Sequence, residues 1–234
     1  MRRFTKAKHH SSAFTLVELI VVLVILAVLA AMLVPALTGY IRKARKNRIL
    51  TNADNARVAC QAIMTELYGL GPGAMSNTTG DATGGGSGGD VRWDAKFNRP
   101  DSADYEWGNK VLELMDRTRD NEPYILVFGV GNSNPECNMS LTEQYTVYYV
   151  AYVESKNSPA IFYVNGEWIY TYPRDNTSIM KEVMFGSYSC RNTIVKDGVK
   201  IPLQLYVVST YSNGNFWTGG ANTLQGHAEP YFNG

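Results

Sequence analysis

The sequence predicts an α+β protein, in which one long N-terminal helix lays its upper part on an antiparallel β-sheet head. Three observations predict it. Leu19 to Leu37 is an unbroken apolar run, an apolar stripe at helical spacing continues beyond it to Leu70, and from Tyr124 onward the segments are rich in β-branched and aromatic residues. A chain of 234 residues leaves room for one ample head domain after such a helix.

The first thirteen residues, MRRFTKAKHHSSA, are polar and basic and give way abruptly to FTLVELIVVLVILAVLAAMLVPAL. About 20 residues at 1.5 Å each cover the roughly 30 Å hydrocarbon core of a bilayer, so Leu19 to Leu37 with its flanks reaches membrane-spanning length. A secretory signal has a shorter apolar region closed by a small-residue cleavage site, and none closes this one before the polar IRKARKNR stretch. The small residue, Ala13, stands in front of the run instead. Glu18 is a carboxyl beside a span with no other ionisable side chain. An acid at the membrane centre costs roughly 2.5 to 3.5 kcal/mol, so Glu18 needs a partner or a place near the headgroups.

The junction Ala13, Phe14, Thr15, Leu16, Val17, Glu18 resembles the signature of the type IV pilin and pseudopilin family: a small residue, Phe, an acid five positions into the mature chain, then an apolar helix. The resemblance covers about Lys8 to Ala44, and Ala13 stands where the family usually has Gly. It implies a pilin-like fold, cleavage by the prepilin peptidase between Ala13 and Phe14, and N-methylation of Phe14. It also implies that Glu18 meets the Phe14 amine of a neighbouring subunit in the filament core, where a buried opposite charge fixes the register of one helix against the next. Pro35 removes a backbone hydrogen bond within the apolar helix and, with Gly39, falls where pilin helices bend or melt on assembly. Arg42, Lys43, Arg45, Lys46 and Arg48 outnumber the cations of the leader, so the charge rule alone would keep them cytoplasmic. The pilin-like junction implies the opposite orientation, with the leader inside, where the peptidase acts.

Past the span, Ile49, Ala53, Ala56, Cys60, Ile63, Leu67 and Leu70 recur at steps of four and three, which makes one apolar stripe on a helix. Phe14 to Leu70 is then a nearly continuous helix of about 85 Å, with Cys60 a small buried thiol. The stretch GLGPGAMSNTTGDATGGGSGGD holds nine of the 21 glycines and is expected to be a loop or linker. Its GGGSGG run lacks the Lys-Ser/Thr and the preceding strand of a phosphate-binding loop. Asp101, Asp104 and Glu106 in RPDSADYEW offer oxygen ligands for a hard cation without EF-hand spacing, and a solvated acidic loop is the plainer reading.

WGNKVLELMDRTR reads as a short helix, followed by strands in YILVFGV, YTVYYVAYV, AIFYV, EWIYTY and VKIPLQLYVVSTY. Asn165 and Gly166 mark a hairpin turn, and KDG at Lys196 to Gly198 a second. TSIMKEVMFGSYS is expected to form one more short helix. Cys137 and Cys190 flank the central strands, either as a disulfide formed in an oxidising exterior or as two free buried thiols. The closing NGNFWTGGANTLQGHAEPYFNG suits a surface loop or a subunit contact.

These readings divide the chain into a leader (1–13), a membrane and filament-core helix (14–38), its amphipathic continuation (39–70), a glycine-rich linker (71–92) and a head (93–234). The formal charge of +1 becomes −3 once the four leader cations go, 18 basic against 21 acidic residues, which gives no bulk reason to bind nucleic acid. His227 would be the one histidine left, and no nucleophile elbow or metal-ligand cluster is present, so neither an enzyme nor a cofactor is expected. The expected function is a structural subunit of a type IV pilus or related filament. The alternatives are a minor pilin or adhesin with a ligand-binding head, or a pseudopilin of a secretion or DNA-uptake system. The resemblance implies as partners other subunits of its kind, the prepilin peptidase, membrane lipid before assembly and an inner-membrane assembly platform. The location would be the cytoplasmic membrane first, then a surface filament or periplasmic pseudopilus.

Overall fold

The computed structural model describes residues 15–71, 91–92, 103–164, 166–170, 183–184 and 193–210. The chain forms two compact units, Met1–Arg48 and Ile49–Gly234. Helix α1, Leu16–Gly69, is a single 54-residue element that belongs to both.

In the first unit the Leu- and Ala-rich run favours the helix, and α1 continues unbroken through Pro35. In the second unit the periodic stripe is buried: Ile49, Ala53, Ala56, Cys60, Ile63 and Leu67, joined by Ala59 and Met64. Leu70 departs from the expected stripe, being 73% exposed one residue past the helix end. Gly71 at φ +96° takes the left-handed conformation that closes many helices, which an L side chain would resist.

Helix α2, Ala103–Leu114, begins earlier than WGNKVLELMDRTR suggested. It is followed by strand β2, Ile125–Gly131, short helix α3, Leu141–Gln144, and strands β3, Val147–Val153, β4, Ala160–Val164, and β5, Glu167–Ile169. Strand β6 is Val183–Met184, β7 is Thr193–Lys196 and β8 is Val199–Thr210, while β1, Val91–Arg92, precedes them all. The sheet order is β5-β4-β3-β2-β8-β7-β6, every pairing on that path antiparallel, and β1 joins β8 in parallel through Val91↔Leu205.

Two expectations are corrected here. The linker 71–92 ends in a strand, and the helix expected in TSIMKEVMFGSYS is crossed by β6, whose Val183 and Met184 pair with Ile194 and Thr193. Pairing with an available strand overrode the weak helical spacing of those side chains. At both expected hairpins the flanking residues pair: Val164 with Glu167, where Gly166 stands at positive φ, and Lys196 with Val199 across Asp197 and Gly198, both at positive φ.

The central strands are buried on both faces. One face, with Leu126, Phe128, Val130, Val150, Tyr152 and Tyr206, forms a single core with the α1 stripe and with Trp107, Val111 and Leu112 of α2. The other carries Ile125, Val127, Tyr149, Ala151, Phe162, Leu203 and Leu205. This explains why the strands read as apolar runs and not as an alternation. Trp107 meets Phe128 and Tyr206 edge-on, with ring centroids 5.8 and 5.1 Å apart, fixing α2 against the sheet.

Candidate assembly site

Thr15 precedes the first turn of α1, and its position three residues before Glu18 builds a reciprocal cap. The Thr15 backbone N–H and Oγ1–H each donate to Glu18 Oε2 at 2.8 Å, and Glu18 N–H donates back to Thr15 Oγ1 at 3.3 Å. A carboxylate there satisfies donors that a helix start leaves without partners and faces the positive end of the helix dipole. Glu18 therefore holds its own helix end within one chain, a role the sequence reading missed although Thr-x-x-Glu before an apolar run is its signature. Ala13 and Phe14 lie outside the described residues.

Every described side chain from Thr15 to Arg48 is exposed, the apolar ones included. Leu16–Gly69 is the one described helix long and apolar enough to cross a membrane. Pro35 lacks the N–H that would bond the Ala31 carbonyl, and Thr38 Oγ1 donates to the Val34 carbonyl at 2.8 Å beside it. Gly39 has open space where a Cβ would stand. Arg42, Lys43, Arg45 and Arg48 are exposed just beyond the apolar stretch.

In the second unit, polar groups on α1 tie the helix to the sheet. Gln61 uses both ends of its amide: Nε2 donates to the Tyr145 carbonyl at 3.1 Å, and Oε1 accepts from Val147 N at 2.9 Å. Asn52 Nδ2 donates to Glu154 Oε2 at 3.1 Å, and Trp168 Nε1 donates to Asp54 Oδ1 at 3.3 Å. Arg57 lies 5.0 Å above the Tyr163 ring and bridges to Asp54 at 2.9 Å.

Glu154 collects three donors, Asn52, the Tyr152 hydroxyl and Arg117, the last at 2.5 Å. Burial pushes its carboxyl pKa up, but the hydrogen bonds from Tyr152, Arg117 and Asn52 outweigh burial and hold it below the ordinary value. Burial also opposes the charge on Arg117, and the bond to Glu154 overcomes it.

Cys60 is a fully buried free thiol whose pKa burial drives upward, so it stays protonated. Cys137 is disulfide-bonded, whereas its expected partner Cys190 lies outside the described residues. Asp104 and Glu106 sit in the first turn of α2, not in a loop, and Asp101 is outside the described residues. Among the described residues no group of three potential metal ligands occurs. Trp107, Tyr145, Tyr149, Tyr152 and Tyr206 are buried in the head and present no surface to a ligand.

No curated protein and no solved structure matches the chain. Residues 8–34 match the family model of the prokaryotic N-terminal methylation motif, which covers the leader junction, Glu18 and most of the apolar run. The fold and this match agree: the chain carries the type IV prepilin signature on a pilin-like α+β architecture.

Proposed function

We propose that this protein is a structural subunit of a type IV pilus or a related filament, inserted as a single-pass precursor and cut before Phe14. It is then methylated there and drawn from lipid into a bundle of like helices. The observation that carries this reading is the exposed apolar half of α1 beginning at a methylation-motif junction. Such a surface is stable in a bilayer or against copies of itself and is costly in water. The family that shares this motif is structural, and we read the chain as a filament component with no catalytic role.

Within that reading Glu18 has two successive tasks. In the lone chain its carboxylate closes the helix through Thr15, and in the filament it pairs with the Phe14 amine of a neighbour. Pro35, Thr38 and Gly39 mark where the helix yields as subunits pack. Cys137 pairs with Cys190 in the oxidising exterior, and the leader stays on the cytoplasmic side despite the cations at 42–48. The prepilin peptidase and an inner-membrane assembly platform are its processing and assembly partners.

Intact mass of the purified protein tests the processing step. The expected species lacks residues 1–13 and carries a methylated Phe14 in a sedimentable polymer. A chain recovered from cells with those residues intact and never polymeric overturns the proposal. A cysteine-accessibility assay that places the head in the cytoplasm refutes the orientation.

A further inference from the structure

The loop between β2 and α3 carries the segment Glu136-Cys137-Asn138-Met139-Ser140. Asn138 there begins an Asn-x-Ser acceptor whose middle residue is not proline, the pattern read as an N-glycosylation site in surface loops of exported proteins. Two further Asn-x-Ser/Thr segments begin at Asn77 and Asn176. Only at Asn138 does an acid stand two positions ahead: Glu136 there, against Met75 and Arg174 for the other two. A fixed charge at that distance gives a transferring enzyme a second point of recognition next to the amide.

The geometry suits the same residue. Asn138 is exposed and closes the turn Pro135–Cys137 in the left-handed conformation, φ 53° and ψ 39°, with its backbone N–H bonded to the Pro135 carbonyl. Glu136 and Ser140 are also exposed, while Cys137, the residue before Asn138, is disulfide-bonded. The acceptor amide thus stands on an exposed loop, where added bulk displaces nothing from the core.

We propose that Asn138 is an N-linked glycan acceptor. This rests on the reading that the head is exported, since the donor would be a polyprenyl diphosphate-linked oligosaccharide on the outer side of the membrane. In the transfer, Asn138 Nδ2 forms a bond to the anomeric carbon of the first sugar as the bond from that carbon to the diphosphate oxygen breaks. The polyprenyl diphosphate leaves with the bonding pair, and the amide proton passes to a base of the transferring enzyme.

One structural detail sets when this occurs. Ser140 Oγ donates to Glu143 Oε2 at 2.6 Å and accepts from Glu143 N at 3.3 Å, capping α3. The hydroxyl that the acceptor pattern requires is therefore engaged once this four-residue helix closes. Transfer belongs before that closure, as the head emerges, or in its brief openings.

The test is mass spectrometry of the protein purified from its native cells. After reduction and alkylation, trypsin yields a peptide, residues 120–156, in which Asn138 is the only acceptor. The expected result is an oligosaccharide mass increment that electron-transfer fragmentation places on Asn138. It should be absent in Asn138→Gly, which keeps the left-handed backbone, lowered severalfold in Glu136→Gln, and raised in Glu143→Ala, which removes the acceptor that holds the Ser140 hydroxyl hydrogen. A bare Asn138 overturns the proposal, and the N-terminal mass of the same sample shows how far the failure reaches. A chain trimmed at Phe14 with a bare Asn138 removes the glycan alone, whereas an untrimmed chain with a bare Asn138 removes the export reading with it.

Discussion

The two halves of α1 obey different solvents. From Thr15 to Arg48 the described side chains are exposed and almost uniformly apolar until the basic stretch, with no face preferred over another. From Ile49 to Gly69 the helix is sided: Ala53, Ala56, Cys60 and Met64 are fully buried, while Thr51, Asn55, Thr65 and Glu66 are exposed. A helix apolar all round is suited to lipid or to a bundle of its own kind, and a sided helix to one fixed neighbour. The lower half is therefore free to exchange surroundings. The upper half is committed to its sheet through small side chains that allow close approach and through Gln61, whose amide occupies two backbone groups at the entry to β3.

The sharpest way to break this contrast is a charge in the upper half. Ala56→Asp places an unpaired carboxylate at a fully buried position and should cost more than about 4 kcal/mol, enough to abolish cooperative melting of the head in detergent solution. A matched pair of truncations comes next. Met64→Ala should destabilise the head by about 2 to 4 kcal/mol, whereas Leu26→Ala in the exposed lower half should leave it within about 0.5 kcal/mol in the same denaturant titration. Equal effects from the two would erase the distinction.

Acid titration sharpens it further. The folded Glu154 carboxyl titrates below its unfolded value of about 4.5, so its contribution is present above that pH and fades as the pH falls through the folded value. Glu154→Gln should cost about 1 to 2 kcal/mol at pH 7 and flatten the acid limb of the stability profile. A mutant profile parallel to that of the parent chain would show that another group controls the acid limb.

A local effect on the monomer is expected at the start of α1. Thr15→Ala should lose about 1 kcal/mol of local helix stability, read as faster amide exchange in the first turn. Glu18→Gln keeps the reciprocal cap but not the charge, so it should leave the monomer helical and still depress filament yield. Normal yield from Glu18→Gln would assign Glu18 to capping alone.

Most of the long-range order was legible because it depends on periodicity. The stripe from Ile49 to Leu67 and the runs that became β2, β3, β4 and β8 each repeat one signal over several residues. What escaped was short or depended on a distant partner. Strands β1 and β6 have two residues each, too few for any pattern, and exist through β8 and β7. Helix α3 has four, yet Ser140 and Glu143 spell the same cap that Thr15 and Glu18 do, and both pairs were readable. The three donors on Glu154 come from positions 52, 117 and 152, a convergence that only the folded chain brings about.

The hidden sulfur at position 60 bears on the order in which the molecule matures. Once the helix has settled on the sheet, that group is beyond the reach of oxidants and cannot compete for either of the other two cysteines. Under the proposed pairing of Cys137 with Cys190, docking ahead of oxidation leaves a single route to the cross-linked product. A chain oxidised before the helix has docked would face three possible pairings.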